Sequence, residues 1–224
     1  MTTSEKIEYR DYKAIRFRKE KFVGYVTLHR PDVLNAINGE MSEELVHVFR
    51  AMEEDAEVRC VILNGEGRAF CAGADLSEMG KMTGGATIEA KRALSSQRQE
   101  FLGTGFVWRL VEQFDKPVIA AIHNWAPAGG TELAVCCDMV VATKDAKFAL
   151  REPAIGLFCA GAFTRLPQIV GKLRAKEFIL TADWFTGEEM YRWGLVNRLV
   201  DTKEELLPKA QEIADIMANN APLS

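Results

Sequence analysis

The chain has 224 residues, of which 48% are hydrophobic and 27% charged, a composition typical of a folded globular protein that excludes a disordered or fibrous one. Its formal net charge of −4 gives no general attraction to nucleic acid or to an anionic membrane. No apolar run approaches the length of a membrane-spanning helix, and the sequence shows no secretory or transit peptide. We therefore expect a cytoplasmic protein.

Alternating apolar residues predict two strands, Ala14–Arg18 and Phe22–Leu28, that form a hairpin at the start of the chain. Apolar residues at helical spacing from Met41 to Met52 predict an amphipathic helix. Val58–Leu63 then reads as a short buried strand that runs into the Gly-rich stretch Asn64–Gly73. This order of strand, helix and strand indicates an α/β fold.

The second half of the chain repeats the pattern. We expect a helical region from about Thr87 to Phe114, the strand Val118–Ile122, and a second Gly-rich loop at Ala128-Gly129-Gly130. Two further strands are predicted at Met139–Ala142 and Lys147–Leu150. A last amphipathic helix is indicated by the spacing of Leu206, Ala210, Ile213 and Met217.

The cysteines and histidines suggest no metal site. The five cysteines are an odd number without C-x-x-C spacing, which favours reduced thiols over a disulfide framework or a zinc site. The three histidines are scattered and match no metal-binding motif. We therefore predict that the protein binds no metal.

Two loops, Phe70–Leu76 and Pro127–Leu133, place small residues directly after apolar segments. Small side chains let a ligand approach the backbone, and N–H groups at the start of a helix stabilise negative charge. Either loop alone is explained by a tight turn. Together they suggest an oxyanion hole with two donors.

Carboxylates are the best candidates for catalytic residues, because the sequence lacks the motifs of the other common kinds of site. Gly65-Glu66-Gly67 begins like a dinucleotide-binding motif, but Phe70 stands at its third glycine, and no phosphate loop or nucleophilic serine motif is present. Glu132 lies in an apolar run, where burial would raise its pKa and suit it to proton transfer. Glu152, beside Arg151, is not distinguished by its context alone.

Seven short segments spread over nearly the whole chain match one known family. They are Arg30-Pro31 with Leu34-Asn35-Ala36, Arg68–Leu76, Lys116–Ile122, Gly129–Ala134, Cys137-Asp138, Arg165–Pro167 and Trp193–Val196. In these segments the chain resembles the crotonase superfamily, and most closely its enoyl-CoA hydratases. The resemblance implies a core of repeated ββα units that form a spiral, assigned to residues 1–195, and a C-terminal helical region that builds homotrimers or homohexamers. The family generally continues further, so we expect residues 196–224 to hold only the start of that region.

The resemblance also implies an acyl-CoA substrate and a site. The N–H groups of Ala74 and Gly129 would bind the thioester oxygen, Glu132 would activate water, and Glu152 would protonate the α-carbon. Coenzyme A would enter only as part of the substrate, and no other cofactor is expected. Its binding is assigned to the backbone around Val33, Leu34, Ala36, Ala72 and Asp75, although Asp75 also fits a helix cap.

Three departures from the family pattern leave the substrate and the exact reaction open. Arg151 replaces a proline before Glu152, and it would lower the pKa of Glu152 if the two side chains met. Residues 159–163 read Cys-Ala-Gly-Ala-Phe where the family has Pro-Gly-x-Gly-Gly, so Phe163 is expected to add bulk near the acyl chain or the water. Pro127 and Ala128 stand where a bulky apolar residue and glycine are common.

Three alternatives to a hydratase stay open at this point. The first is another acyl-CoA enzyme of the superfamily, an isomerase, dehydratase or hydrolase, although two retained glutamates favour hydration. The second is an RNA-binding relative, which the dispersed basic residues Lys81, Lys91, Arg92 and Arg98 support poorly. The third is a non-catalytic subunit of an assembly.

Overall fold

The computed structural model describes residues 7–78 and 104–220, with side chains described from residue 107 onward in the second range. Nine strands are β1 (Ile15–Glu20), β2 (Val23–Leu28), β3 (Cys60–Gly65), β4 (Val118–Ile122), β5 (Trp125–Pro127), β6 (Met139–Thr143), β7 (Lys147–Ala149), β8 (Phe185–Thr186) and β9 (Arg198–Val200) in these ranges. Their α-helices are α1 (Gly39–Glu54), α2 (Thr104–Glu112), α3 (Gly129–Cys136), α4 (Leu166–Val170), α5 (Lys172–Thr181), α6 (Gly187–Trp193) and α7 (Lys203–Asn219).

The strands form two sheets. The larger has the order β1-β2-β3-β4-β6-β9, with β1 antiparallel to β2 and all other neighbours parallel. The smaller has the order β5-β7-β8. After β4 the chain crosses to β5 in the smaller sheet before forming α3, and after β6 it crosses in the same way to β7. This recurrence confirms the predicted α/β fold with repeated ββα units.

The central strands of the larger sheet, β2, β3, β4 and β6, are buried on both faces. In β3, Cys60 and Ile62 face the apolar cluster that contains α7, whereas Val61 and Leu63 belong to the main core with α1, α2 and α3. This alternation follows from the two-residue period of a strand. Helix α7 lies on the sheet through small side chains one turn apart, namely Ala210, Ala214 and Ala218.

Most of the predicted elements are confirmed, with small shifts at their ends. The hairpin, the amphipathic helix α1, strand β4 and the last helix α7 are all present. The prediction of a loop at Gly129 and Gly130 is wrong, because both residues belong to the first turn of α3. The basic residues between Lys81 and Arg98, and the predicted helical region before Thr104, lie outside the described residues.

Candidate active site

The two small-residue loops predicted to form an oxyanion hole lie against each other. A Cβ atom built on Gly73 would lie 2.7 Å from the nitrogen of Gly129, and one built on Gly129 would lie 3.4 Å from the nitrogen of Ala74. Within residues 7–78 and 104–220, neither the Ala74 N–H nor the Gly129 N–H donates to a backbone carbonyl. The structure therefore brings two available donors together.

The Gly129 donor is fixed from both sides. Ala128 precedes it with φ 50° and ψ −124°, and its own N–H donates to the Ala149 carbonyl at 2.6 Å. The Trp108 indole Nε1–H donates to the Gly129 carbonyl at 3.0 Å. Because Gly129 is the first residue of α3, its N–H has no intrahelical acceptor and stays available to a ligand.

The conformation of Ala128 is unfavourable for any residue with a side chain, and this strain accompanies the orientation of the Gly129 peptide. We expect Ala128→Gly to raise the free energy of unfolding by about 1 kcal/mol, because the relief of strain exceeds the added entropy of the unfolded chain. Urea unfolding at neutral pH measures the effect. Ala154→Gly, at an exposed position without positive φ, is the matched control and should lower stability. Equal destabilisation by both changes would contradict the assignment of strain.

The predicted coenzyme A residues also come together. The turn that contains Val33, Leu34 and Ala36 lies beside the loop that contains Ala72 and Asp75, with the Ala72 N–H donating to the Leu34 carbonyl at 2.9 Å. Buried Asn35 stabilises this contact, since its Nδ2 donates to the Ala69 carbonyl at 2.9 Å. The five residues thus lie together next to the Ala74 donor.

Asp75 has a structural task in this group of residues. Its Oδ1 accepts from the Ser77 N–H at 3.1 Å and from the Ser77 hydroxyl at 2.7 Å, which caps the helical turn after it. Its Oδ2 accepts from Arg30 Nη1 at 3.0 Å. Both carboxylate oxygens therefore have hydrogen-bond partners within the protein, which fixes the orientation of the side chain.

Glu132 lies in the first turn of α3, only 4% exposed. Its Oε1 accepts from the N–H groups of Gly161 at 2.7 Å and Ala162 at 3.3 Å. Burial and, secondly, the negative charge of Glu152 raise the pKa of Glu132 to about 7, while the two N–H groups oppose this shift. A carboxyl group with this pKa can accept or release a proton near neutral pH.

Glu152 begins a short 3-10 turn after β7 and is 7% exposed. Its Oε2 accepts a hydrogen bond from the Cys159 thiol at 3.5 Å. Burial is the main cause of its raised pKa, which favours the protonated form. Glu132 and Glu152 are therefore two buried carboxyl groups with raised pKa values that influence each other electrostatically.

Arg151 does not meet the condition under which it would lower the pKa of Glu152, namely contact between the two side chains. The guanidinium of Arg151 donates to the Ala182 carbonyl and lies 5.8 Å from the ring centre of Trp184. Burial is the largest influence on the pKa of Glu152, and Arg151 is not among the groups that shift it.

Phe163 lies at the surface, 52% exposed, with its ring centre 4.8 Å from that of Phe158. Gly161 and Ala162, rather than Phe163, contact Glu132. Gly161 lies close to this side chain, because a Cβ on it would lie 3.1 Å from Glu132 Cβ, so a larger residue there would crowd Glu132. Residues 159–163 therefore hold the two carboxyl groups in this chain.

Sequence reasoning missed three residues of the site. These are Trp108, Thr131 and Cys159. Trp108 donates to the Gly129 carbonyl, and Cys159 donates to Glu152. The Thr131 hydroxyl donates to the Ala126 carbonyl at 2.5 Å and accepts from the Ala149 N–H at 3.2 Å. Trp108 and Thr131 carry no local sequence signal for these contacts. Cys159 was noticed only as a departure from the family loop.

The described parts of the chain contain no cluster of three or more potential metal-ligating side chains. None of their helices has both the length and the apolar character that a membrane span needs.

The site combines two N–H donors, a carboxyl group with a pKa of about 7 and a second buried carboxyl group. Such a site can stabilise an enolate oxygen and transfer protons to and from the neighbouring carbons.

Comparison with known families agrees with this chemistry. The sequence profile described as enoyl-CoA hydratase/isomerase matches residues 18–224. The chain belongs to the enoyl-CoA hydratase/isomerase family. This result confirms the resemblance to the crotonase superfamily found in the sequence.

Individual members of the enoyl-CoA hydratase/isomerase family match along most of their length. The chain is 40% identical to the short-chain-enoyl-CoA hydratase of Clostridium acetobutylicum, covering 92% of this chain and 76% of that one. It is 36% identical to the crotonyl-CoA hydratase of Syntrophomonas wolfei, covering 95% and 78% respectively.

Solved structures of this family share the fold. A crystal structure of a putative enoyl-CoA hydratase from Streptomyces coelicolor has a TM-score of 0.86 at 31% identity, with 99% of this chain and 79% of that chain covered. The enoyl-CoA hydratase of Bacillus anthracis has a TM-score of 0.82 at 35% identity, with 94% and 78% covered.

Proposed function

We propose that this protein is an enoyl-CoA hydratase that reversibly adds water to a 2-enoyl-CoA thioester. The observation that carries the proposal is the presence of two buried carboxyl groups, Glu132 and Glu152, together with the donor pair Ala74 and Gly129. Hydration needs both a base for water and an acid for carbon. The names of the two relatives, short-chain-enoyl-CoA hydratase and crotonyl-CoA hydratase, describe the same class of reaction, the hydration of an enoyl-CoA.

In the proposed reaction, the Glu132 carboxylate removes a proton from water as the water oxygen bonds to the β-carbon. The electron pair of the double bond moves toward the thioester, and the resulting enolate oxygen accepts hydrogen bonds from the Ala74 and Gly129 N–H groups. Glu152 then donates a proton to the α-carbon. The product gains one water molecule, and proton transfer from Glu132 back to Glu152 restores the starting state. One good oxyanion donor contributes about 3–4 kcal/mol to the transition state.

The reaction needs one proton on the pair of glutamates. The two carboxyl groups influence each other, so they titrate as a pair rather than independently. Two amide N–H groups stabilise the charged form of Glu132, whereas in the described chain Glu152 accepts from the thiol of Cys159. These hydrogen bonds stabilise the anion of each carboxyl group, and the proposed scheme assigns the role of base to Glu132 and that of acid to Glu152.

The substrate and its environment follow from the same proposal. The backbone around Val33, Leu34, Ala36, Ala72 and Asp75 would bind the coenzyme A part of the thioester. The two carboxyl groups and two N–H donors supply every proton transfer and charge interaction in the scheme, so we propose no cofactor beyond coenzyme A itself. We further propose a cytoplasmic homotrimer or homohexamer without nucleic-acid or membrane partners; light scattering of the purified protein measures its mass.

Crotonyl-CoA is the probe for the first test. We expect the absorbance of its conjugated enoyl-thioester to fall when the protein is added, with mass spectrometry showing the addition of one water molecule. A folded protein that binds coenzyme A but gives no hydrated product would contradict the proposal. Migration of the double bond or release of free coenzyme A would instead identify an isomerase or a hydrolase.

A further inference from the structure

Arg165 connects helix α2 with the residues that hold Glu132. Its guanidinium forms a two-pronged ion pair with Glu112, the last residue of α2. Its Nη1 also donates to the Gly161 carbonyl at 2.7 Å. The side chain is 22% exposed, so this ion pair is partly shielded from solvent.

The acceptor of Arg165 belongs to a peptide group that contacts Glu132. The Gly161 carbonyl and the Ala162 N–H are the two ends of one planar peptide, and that N–H points to Glu132 Oε1. The Gly161 N–H, one peptide earlier, donates to the same oxygen at 2.7 Å. A cation at the carbonyl end fixes the plane of this peptide and polarises its N–H, which strengthens the hydrogen bond at the other end.

We propose that Arg165 is a positioning residue for Glu132, which acts through the backbone of Gly161 and Ala162 and favours the ionised carboxylate. The inference rests on the proposed function, since it assigns Glu132 the task of base. Arg165 itself makes its polar contacts with Glu112 and Gly161. Glu112 holds the guanidinium and thereby defines the direction from which it reaches Gly161.

Other titratable groups also act on Glu132. Glu152 raises its pKa by charge repulsion, and the electrostatic influence between Glu132 and the thiols of Cys136 and Cys159 raises the pKa of both thiols. These thiols stay protonated near neutral pH because burial also raises their pKa. The apparent pKa of activity therefore belongs to the Glu132 and Glu152 pair, with Arg165 acting on one member.

The test compares Arg165→Gln and Arg165→Lys with the unchanged protein. We expect Arg165→Gln to move the acid limb of the kcat/KM profile to higher pH by about one unit, which lowers kcat/KM about tenfold at pH 6 and less at pH 9. Arg165→Lys keeps the charge and should move the limb less. Arg174→Gln is the control, because Arg174 also pairs with a glutamate, Glu177, but touches neither catalytic carboxyl group.

A measurement without turnover separates this inference from the proposed reaction. In protein labelled with δ-¹³C glutamate, the Glu132 signal is identified by its loss in Glu132→Gln, and its titration midpoint should rise in Arg165→Gln even if crotonyl-CoA is not the substrate. An unchanged midpoint, or an activity loss equal at every pH, would overturn the inference. If Arg165→Gln does not fold, the same titration in Arg165→Lys decides.

Discussion

Glu132→Gln is expected to lower kcat for hydration of crotonyl-CoA by about 10²–10⁴-fold, because glutamine cannot accept the proton of the attacking water. The amide has nearly the shape of the carboxyl group, and its oxygen can still accept from the Gly161 and Ala162 N–H groups. KM should therefore change far less than kcat. Steady-state kinetics at neutral pH measures both constants.

The same substitution should stabilise the protein at alkaline pH. The pKa of Glu132 is raised from 4.5 to about 7, so the stability linked to this group is complete below pH 4.5 and is lost as pH rises through 7. Glutamine does not ionise and avoids this loss. At pH 9 we expect Glu132→Gln to exceed the unchanged protein in free energy of unfolding by about 2–3 kcal/mol, and by much less at pH 5.

Glu177→Gln provides the control for both measurements, because Glu177 is a surface residue paired with Arg174. It should leave kcat unchanged and show no such dependence of stability on pH. Full activity of Glu132→Gln would remove Glu132 from the proposed reaction. A stability difference that does not grow between pH 5 and pH 9 would show that burial does not raise its pKa.

Gly73→Ala is expected to lower kcat/KM by about 10²–10³-fold through the oxyanion donors. Gly73 has φ +90°, and a Cβ there would lie 2.7 Å from the Gly129 nitrogen. The added methyl group must displace the Gly129 N–H from the position where the enolate oxygen forms. Conversion of crotonyl-CoA gives the loss of activity, and urea unfolding gives a loss of stability of about 1–3 kcal/mol from the strained backbone.

Gly171→Ala separates these two effects. Gly171 has a similar φ of +80°, but no atom lies within 4 Å of a Cβ built on it. The Gly171→Ala protein should therefore lose about as much stability as the Gly73→Ala protein, but keep its activity. If both variants lost activity to the same degree, backbone strain rather than the contact with Gly129 would explain the result for Gly73.

Local patterns in the sequence predicted the elements that follow simple periods. The hairpin of β1 and β2 and helix α1 alternate apolar and polar residues at the periods of a strand and a helix, and both were found. Glu132 was indicated by its apolar context, and Glu152 only by the resemblance to a family. Both lie in the buried site that the fold creates.

Features that depend on distant contacts could not be predicted in this way. Gly130 reads as part of a turn, but it lies within α3, where a Cβ would come 2.1 Å from the Cys71 carbonyl oxygen. Strand β8 has only two residues, and β5 ends at a proline, so neither shows a strand pattern. Arg151 contacts Ala182 and Trp184, which come some thirty residues later in the chain, so these contacts could not be read from its neighbours in the sequence.

The position of α7 has a consequence for synthesis of the protein. The strands whose apolar face it covers, from β2 to β6, leave the ribosome well before Ala210, Ala214 and Ala218 are made. At an ordinary elongation rate of about 5–20 residues per second, that face stays open for several seconds. During this interval the nascent chain carries an uncovered apolar surface, which makes it a substrate for chaperones and prone to association with its neighbours on the same messenger RNA.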